Sequence, residues 1–258
     1  MNIFANENSF NEMPRWQSGH ASGCRPDHGS SNSNSLEEVN LPRGSKILFM
    51  LSGGIDSPVA IKLLKRFYNV TPVHFTLLTY YPKSYPKIFA EFLENIMKSV
   101  GIEKIMVVPF SNVLKKISIH GKRKYVCLLC RKSMLKACEL LCFNYNFDAI
   151  GTGEVLAQKA SQTIYNMHAT HLGLKKPVLH PLLCMDKEEI VRLAKKFGIN
   201  VEKHLGACRL APRYPVTKAT PEKLERIYKE IEIEELINEA VNNVVWIKDP
   251  KEFEEVMI

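Results

Sequence analysis

Residues 48–59 read Leu-Phe-Met-Leu-Ser-Gly-Gly-Ile-Asp-Ser-Pro-Val. An apolar run ends at the segment 52–57, and an amphipathic stretch begins at Pro58, a pattern typical of a buried strand followed by a helix. Glycine lets the backbone approach a phosphate closely, and the unpaired amides at a helix N-terminus point toward an anion. Pro58 suits a first helical turn, and Ser57 is expected to cap it through its hydroxyl group. The stretch therefore predicts a strand, a phosphate-binding loop and a helix.

The rest of the chain alternates between short apolar runs and helical periodicity. Strands are predicted at Lys46–Leu51, Thr71–Leu77, Lys104–Pro109, Asp148–Thr152 and Val178–Leu182. Helices are predicted at Pro58–Tyr68, Pro86–Val100, Cys130–Phe143, Asp186–Phe197 and within Pro221–Asn242. This order predicts an α/β fold with a doubly wound parallel sheet, in which a nucleotide binds at the carboxyl ends of the strands.

Composition predicts a soluble cytoplasmic protein of one main domain. Of the 258 residues, 45% are hydrophobic, which suffices for one substantial core, and no stretch has the length and apolarity of a bilayer span. Residues 1–44 lack hydrophobic periodicity and a signal peptide, so we expect a disordered tail before an α/β domain at 45–220 and a C-terminal helical appendage at 221–258. A net charge of +8 favours a polyanionic partner.

The glycine loop carries no Gly-Lys-Ser/Thr ending, so it differs from a Walker motif. It resembles the SGGxDS loop of the PP-loop ATP pyrophosphatases, which adenylate an oxygen of their substrate. With Gly151–Thr163 (GTGEVLAQKASQT) and Met185–Glu189 (MDKEE), the chain resembles the tRNA 4-thiouridine synthetase family, ThiI, from about Lys46 to about Lys218. The resemblance implies that O4 of a tRNA uridine is adenylated and then replaced by sulfur.

The resemblance also implies a set of site residues. The nucleotide contacts would be Met50, Leu51, Ser52, Gly53, Gly54, Asp56, Ser57, His74, Phe75, Arg131, Gly153 and Gln162. Asp56 would hold Mg²⁺ beside the pyrophosphate, and Lys187 would stabilise charge at the α-phosphate. Taken without the resemblance, Gln158 and Gln162 fit a solvated face, and Lys187 fits a surface charge.

The seven cysteines favour thiol, metal or redox chemistry over a disulfide framework. Cys127 and Cys130 form a CxxC that is predicted just ahead of a helix, and Cys208 lies where the resembled family keeps its sulfur-handling cysteine. The archaeal branch, which this chain resembles more, implies an iron-sulfur cluster on these three residues with one open iron. A persulfide on Cys208, zinc and structural thiols remain alternatives.

Other candidate residues receive plainer interpretations. Cys138 and Cys142 are predicted to lie in the core, Cys184 is assigned no role, and His168 and His171 are predicted to be solvated loop histidines. Basic residues around the CxxC form a candidate RNA-contact surface with Tyr125. These are Lys115, Lys116, Lys122, Arg123, Lys124, Arg131 and Lys132.

The expected cofactors are ATP, Mg²⁺ and the iron-sulfur cluster. The expected partners are tRNA and a sulfide or persulfide donor, with no membrane; a homodimer is left open. No THUMP domain precedes the catalytic segment, so either a separate THUMP-type protein grips the tRNA or the substrate differs. Two other functions stay open: a PP-loop amidotransferase or ligase acting on an adenylated small molecule, and a non-catalytic adenine-nucleotide or iron-sulfur sensor.

Overall fold

The sheet occupies the centre of the protein, whose computed structural model describes residues 41–77, 83–199 and 208–256. Its strands are β1 (Lys46–Met50), β2 (Asn69–Thr76), β3 (Ile105–Pro109), β4 (Ala149–Thr152), β5 (Val178–Leu179) and β6 (Val245–Ile247). They follow the order β5-β4-β1-β2-β3-β6. The pairs among β1 to β5 are parallel, and β6 runs antiparallel to β3. The predicted α/β doubly wound class is confirmed, with an antiparallel edge strand added.

Helices cover both faces of this sheet. They are α1 (Asp56–Leu64), α2 (Tyr85–Val100), α3 (Ser111–His120), α4 (Val126–Tyr145), α5 (Ile164–His171), α6 (Lys187–Lys196), α7 (Pro221–Ile231), α8 (Glu234–Asn242) and α9 (Glu252–Val256). One core cluster contains residues of α3, α4, α5, α7 and α8, and the other contains residues of α1, α2, α6 and α9. None of the helices in the described ranges combines the length and apolarity that a bilayer-spanning helix needs.

Strand β1 is buried and apolar from Ile47 to Met50 because both of its faces are covered. Ile47 and Phe49 belong to one core cluster, whereas Leu48 and Met50 belong to the other. Successive side chains of a strand point to opposite faces, so a central strand covered on both sides is apolar throughout. A Cβ atom at Gly151 of β4 would lie 2.5 Å from Cδ2 of Phe49, so only glycine leaves room for this ring.

The C-terminal segment differs in part from the predicted helical appendage at 221–258. The helical region Pro221–Asn242 is divided into α7 and α8, since Glu232 has a positive φ of 52°. Strand β6 then joins the edge of the main sheet beside β3. The predicted domain boundaries stay predictions, and residues 1–40 of the expected tail lie outside the described residues.

Chain connectivity places a crevice beside β1. From β1 the chain continues to β2 and β3 on one side, whereas β4 and β5 lie on the other side. Ligands of open α/β sheets bind at such a reversal, outside the carboxyl ends of the strands. The glycine loop follows β1 directly and therefore lies at this position.

Candidate active site

The glycine loop is held in shape by one serine hydroxyl. Oγ of Ser57 accepts a hydrogen bond from the Ser52 amide at 3.1 Å and donates to the Ser52 carbonyl at 3.0 Å. Helix α1 begins at Asp56, two residues earlier than expected, and its N-cap residue, Ile55, makes no side-chain cap. The prediction that Ser57 caps the helix is therefore wrong, because its hydroxyl group closes the loop instead.

A cavity of about 320 Å³ lies over this loop. The predicted nucleotide contacts that line it are Met50, Leu51, Ser52, Gly53, Gly54, Asp56, His74, Phe75 and Arg131. The other lining residues are Leu77, Tyr85, Met134 and Lys159. A Cβ atom at Gly54 would have only Ser52 Oγ nearby, at 3.8 Å, so the protein leaves space at this glycine. The loop therefore presents an open backbone face to the cavity.

Three of the predicted contacts do not line the cavity. Ser57 closes the loop, and Gly153 packs behind it, where a Cβ atom would lie 2.9 Å from both N and Cα of Ser57. Gln162 ends the 3-10 turn Ala160–Gln162, and its Oε1 atom is buried without a hydrogen-bond partner. Gly153 thus supports the loop by allowing close approach.

His74 positions the end of β1 through both of its ring nitrogens. Nδ1 lies 2.9 Å from the Leu51 carbonyl, which can only accept, so Nδ1 carries the proton and Nε2 accepts from the Tyr85 hydroxyl. The ring stacks on Phe89 with centroids 3.9 Å apart. Burial lowers the pKa of His74 to about 4, so the imidazole is neutral. Both ring nitrogens have partners within the protein, and the nucleotide contact at His74 stays a prediction.

The two predicted catalytic residues outside the cysteines meet each other. Nζ of Lys187, at the start of α6, donates to Oδ1 of Asp56 at 2.6 Å. Asp186 and Glu189 form a capping box that fixes this end of α6. The pair therefore joins the glycine loop to a helix that follows it by 131 positions in sequence.

Arg131 is held from behind the cavity by a buried carboxylate. Nη2 of Arg131 lies 2.7 Å from Oε2 of Glu154, which follows β4. Burial alone would raise the pKa of Glu154, but the positive charge of Arg131 outweighs it and lowers this pKa. The register of β4 and β5 pairs Gly151 with Leu179, so the following residues, Thr152 and His180, are neighbours.

His171 corrects one interpretation of the sequence. It ends α5, is buried, and places Nε2 3.8 Å from Oε2 of Glu154. His168 also lies on α5 and is half-buried. The prediction of solvated loop histidines is therefore wrong, because α5 was not predicted and the carboxylate comes from another segment.

The three predicted sulfur-site cysteines lie within electrostatic reach of one another. Burial raises the pKa of Cys130 to about 12, and negative charge on Cys208 and Cys127 contributes to this rise. Burial and the Cys208 charge also raise the pKa of Cys127, whereas Lys159 lowers it. Cys127 and Cys130 lie inside the first turns of α4, which starts earlier than predicted. Their spacing of three residues places them on one helix face.

Two cations that line the cavity also act on the predicted sulfur-site thiols. Lys159 acts on the pKa of Cys127 and Arg131 acts on that of Cys130, and both cations also line the cavity. The remaining predicted cysteines on α4, Cys138 and Cys142, are fully buried, which confirms their place in the core.

The candidate RNA surface is smaller than predicted. Lys115, Lys122, Arg123 and Lys124 are exposed and Lys116 is half-buried. Tyr125 is buried, Arg131 pairs with Glu154, and Lys132 is buried with its Nζ 3.1 Å from Oε2 of Glu225. Tyr125 and Lys132 therefore belong to the protein interior, and Arg131 lies between the cavity and Glu154.

Sequence reasoning did not assign Tyr85, Lys159 or Glu154 to the site. Lys159 and Glu154 lie inside the GTGEVLAQKASQT stretch, so the acid and the lysine within this motif were available signals. Tyr85 begins α2, and nothing local marked its hydroxyl as a partner of His74.

Comparison with known proteins identifies the family of this chain. The sequence profile of the family described as "Thiamine biosynthesis protein (ThiI)" matches residues 43–233. A probable tRNA sulfurtransferase of Metamycoplasma arthritidis is 33% identical over 215 residues, which cover 81% of this chain and 56% of the relative. One from Staphylococcus epidermidis is 34% identical over 206 residues, covering 78% and 51%.

A solved structure of a 4-thiouridine synthetase in complex with RNA and bound ATP superposes with a TM-score of 0.69 at 27% identity. The match covers 79% of this chain and 55% of that one. The chain spans about half the length of the curated relatives that it matches. The profile match includes the glycine loop, the GTGEVLAQKASQT stretch, the three cysteines and Lys187, and this chain belongs to the ThiI family.

Proposed function

We propose that this chain carries the catalytic domain of an ATP-dependent tRNA sulfurtransferase that converts uridine to 4-thiouridine in the cytoplasm. One observation carries the proposal: a cavity over a PP-loop is lined by two cations, Arg131 and Lys159, that also act on the thiols of Cys130 and Cys127. Activation with ATP and delivery of sulfur need such neighbouring sites. Family membership and the names of the relatives support the same activity.

The loop is suited to the phosphates of ATP. The open face at Gly54 leaves room for a phosphate, and the amides at the start of α1 would donate hydrogen bonds to it. Arg131 would neutralise the phosphate charge. Asp56 lines the cavity and offers carboxylate oxygens, the ligands that Mg²⁺ prefers. A bound Mg²⁺ ion would neutralise the phosphates. Lys187, released from Asp56, would stabilise charge that develops at the α-phosphate.

The reaction has two balanced steps. O4 of the uridine attacks the α-phosphorus of ATP, the bond to the bridging oxygen breaks, and pyrophosphate leaves with that electron pair. Hydrosulfide then attacks C4, and AMP departs with the former O4. If the outer sulfur of a persulfide on Cys208 attacks C4 instead, a second thiol must then attack the inner sulfur, which breaks the S–S bond and leaves a disulfide. Lys187 and Arg131 assist the first step by opposing the growing negative charge.

The thiol trio is suited to a soft metal or a cluster. Thiols with raised pKa values are protonated at neutral pH unless a metal or cluster takes the place of the proton. Three cysteines leave a fourth position open, which fits the proposed iron-sulfur cluster on Cys127, Cys130 and Cys208. When bound, such a cluster would supply an iron site for exogenous sulfide. A persulfide on Cys208 and zinc are the alternatives that the experiments below distinguish.

The proposed macromolecular substrate is tRNA. The exposed cations Lys115, Lys122, Arg123 and Lys124 precede the CxxC and would contact phosphates near the thiols. A THUMP-type RNA-binding protein is the proposed partner for the distant part of the tRNA, and a homodimer is a proposed assembly.

Anaerobic reconstitution tests the activity directly. The protein is incubated with ATP, Mg²⁺, sulfide and unmodified tRNA, and thiouridine is measured together with released pyrophosphate. Asp56→Ala should abolish both products, whereas Cys208→Ala should abolish thiouridine and leave tRNA-dependent pyrophosphate release. Lys195→Ala, an exposed residue at the other end of α6, is the matched control with unchanged activity.

The same assay distinguishes the other two functions. Pyrophosphate release that needs ammonia and a small molecule, and that is indifferent to Cys208→Ala, would identify an amidotransferase or ligase. ATP binding without any pyrophosphate release would identify a sensor. Iron content and absorbance of the anaerobically purified protein, compared with the Cys127→Ala variant, test the cluster.

A further inference from the structure

Three buried metal-ligand side chains lie together behind the cavity, where the proposed reaction does not use them. Glu154 follows β4, His171 ends α5 and His180 follows β5. One ligand atom from each lies within 4.8 Å of the other two. Their side chains are only 5%, 7% and 2% exposed.

Both histidines have a buried nitrogen that the described part of the chain leaves unpaired. Nδ1 of His171 donates to the Met167 carbonyl, so Nε2 carries a lone pair that faces Glu154. Nε2 of His180 is also buried without a hydrogen-bond partner, whereas its Nδ1 lies 2.6 Å from Oγ1 of Thr152. Buried polar atoms are normally satisfied, so the unpaired Nε2 of His171 beside a carboxylate indicates a missing ligand. On His180 the nitrogen near Glu154 is Nδ1, which a bound ion would take over from Thr152.

We propose that Glu154, His171 and His180 bind one divalent first-row transition metal ion, with Zn²⁺ as the best match. Two imidazoles and one carboxylate are a donor set that zinc favours. Oε2 of Glu154 lies 3.8 Å from Nε2 of His171 and 3.4 Å from Nδ1 of His180. Two ligands at zinc bond lengths in a tetrahedron are about 3.3 Å apart, so small side-chain rotations complete the site.

Burial also prepares the histidines for a metal. It lowers the pKa of His171 and lowers that of His180 to about 3. Both imidazoles are therefore neutral at physiological pH, which is the form that binds metal ions. The ion would connect the segments after β4, α5 and β5.

Arg131 competes with the proposed ion. Its Nη2 lies 2.7 Å from the same carboxylate oxygen, so the metal must share Glu154 with the guanidinium or displace it. Arg131 also lines the nucleotide cavity, so metal binding would free this cation toward the nucleotide. Metal binding at this site would thereby change the charge available to a nucleotide in the cavity, independently of sulfur transfer.

Titration with metal alone tests the site. The tag-free variant Cys127→Ser/Cys130→Ser/Cys208→Ser, which lacks the competing thiol site, is stripped with chelator and titrated with Zn²⁺ by calorimetry and with Co²⁺ by absorption. One equivalent should bind, and the cobalt spectrum should show d–d bands without thiolate charge transfer. In this background, His171→Gln and His180→Gln should each weaken binding at least tenfold. His168→Gln, on the same helix as His171, is the matched control.

Several results would overturn the proposal: no binding to the triple variant, thiolate charge transfer in it, or equal affinity after the His171 and His180 substitutions. Melting temperature gives a second readout that needs no histidine variant. An ion that binds only the folded state raises the melting temperature of the triple variant, and an unchanged value contradicts the site. Because no thiouridine is measured, failure here leaves the sulfurtransferase proposal intact.

Discussion

Two ion pairs flank the cavity over the glycine loop, and their N–O distances are nearly equal, 2.6 Å for Lys187–Asp56 and 2.7 Å for Arg131–Glu154. They differ in burial: the Lys187 side chain is 53% exposed, whereas that of Glu154 is only 5% exposed. Water screens the first pair, so its members can exchange partners with a metal-nucleotide complex at little cost. The second pair lacks this screening, and loss of one member leaves a charge buried. The two pairs therefore have similar distances but different roles: the exposed pair can exchange partners, and the buried pair stabilises the fold.

The largest effect is expected from breaking the buried pair. Glu154→Gln keeps the shape of the side chain but leaves Arg131 without its anion, and should lower the free energy of unfolding by roughly 3–5 kcal/mol. Urea denaturation at neutral pH measures this change. Glu94→Gln, in the exposed i,i+4 pair with Lys98, is the control and should change stability by less than about 1 kcal/mol. A loss at Glu154 as small as that of the control would contradict the assigned difference in screening.

The exposed pair should show the opposite balance between activity and stability. Lys187→Ala should change stability by less than about 1 kcal/mol. It should lower the rate of tRNA-dependent pyrophosphate release on the order of 10²–10³-fold, the usual cost of a lost charge stabiliser. Single-turnover kinetics with saturating ATP measure the effect, with Lys195→Ala as the reference. A normal rate in Lys187→Ala would show that the pair is only a surface contact.

The parts of the site that are continuous in sequence could be predicted, whereas those assembled from distant segments could not. The loop at Ser52–Ser57 is continuous in sequence, and the apolar run before it specifies a buried strand, so its place in the fold was predicted. Arg131, Glu154, His171 and His180 come from four segments, and the pairing of β4 with β5 brings two of these together. Strand β6 has only three residues, too few for a clear periodic pattern, and was not predicted.

Acid should lower the stability of the protein through its buried histidines. Burial lowers the pKa of His180 to about 3 and that of His74 to about 4. An unfolded histidine titrates at about pH 6.5, so between that pH and these lowered pKa values the unfolded chain binds more protons than the folded protein. Stability should therefore be fully present above pH 6.5 and fall as pH decreases through this window, by up to about 1.4 kcal/mol per pH unit for each histidine.

Urea denaturation at pH 7.0 and 5.0 measures this slope. His180→Gln removes one of the titrating groups and should reduce the loss between the two pH values, although its stability at pH 7.0 is lower than that of the parent. His120→Gln, at the exposed end of α3, is the control and should keep the full slope. Identical slopes in the parent and His180→Gln would mean that this imidazole is not held neutral.

The smallest effect on stability is expected at Gly54, where a substitution should change ATP binding without disturbing the fold. A Cβ atom at Gly54 meets only open space and Ser52 Oγ, and its φ is not positive, so Gly54→Ala should leave stability unchanged or raise it by about 0.4–1 kcal/mol. The methyl group would occupy the face offered to phosphate, so ATP affinity should fall. Gly153→Ala should instead destabilise the protein, since its Cβ would press on Ser57 at 2.9 Å. Calorimetric titration with ATP measures the affinity of both variants, and urea denaturation measures their stability. If Gly54→Ala binds ATP normally, the phosphates do not approach this backbone.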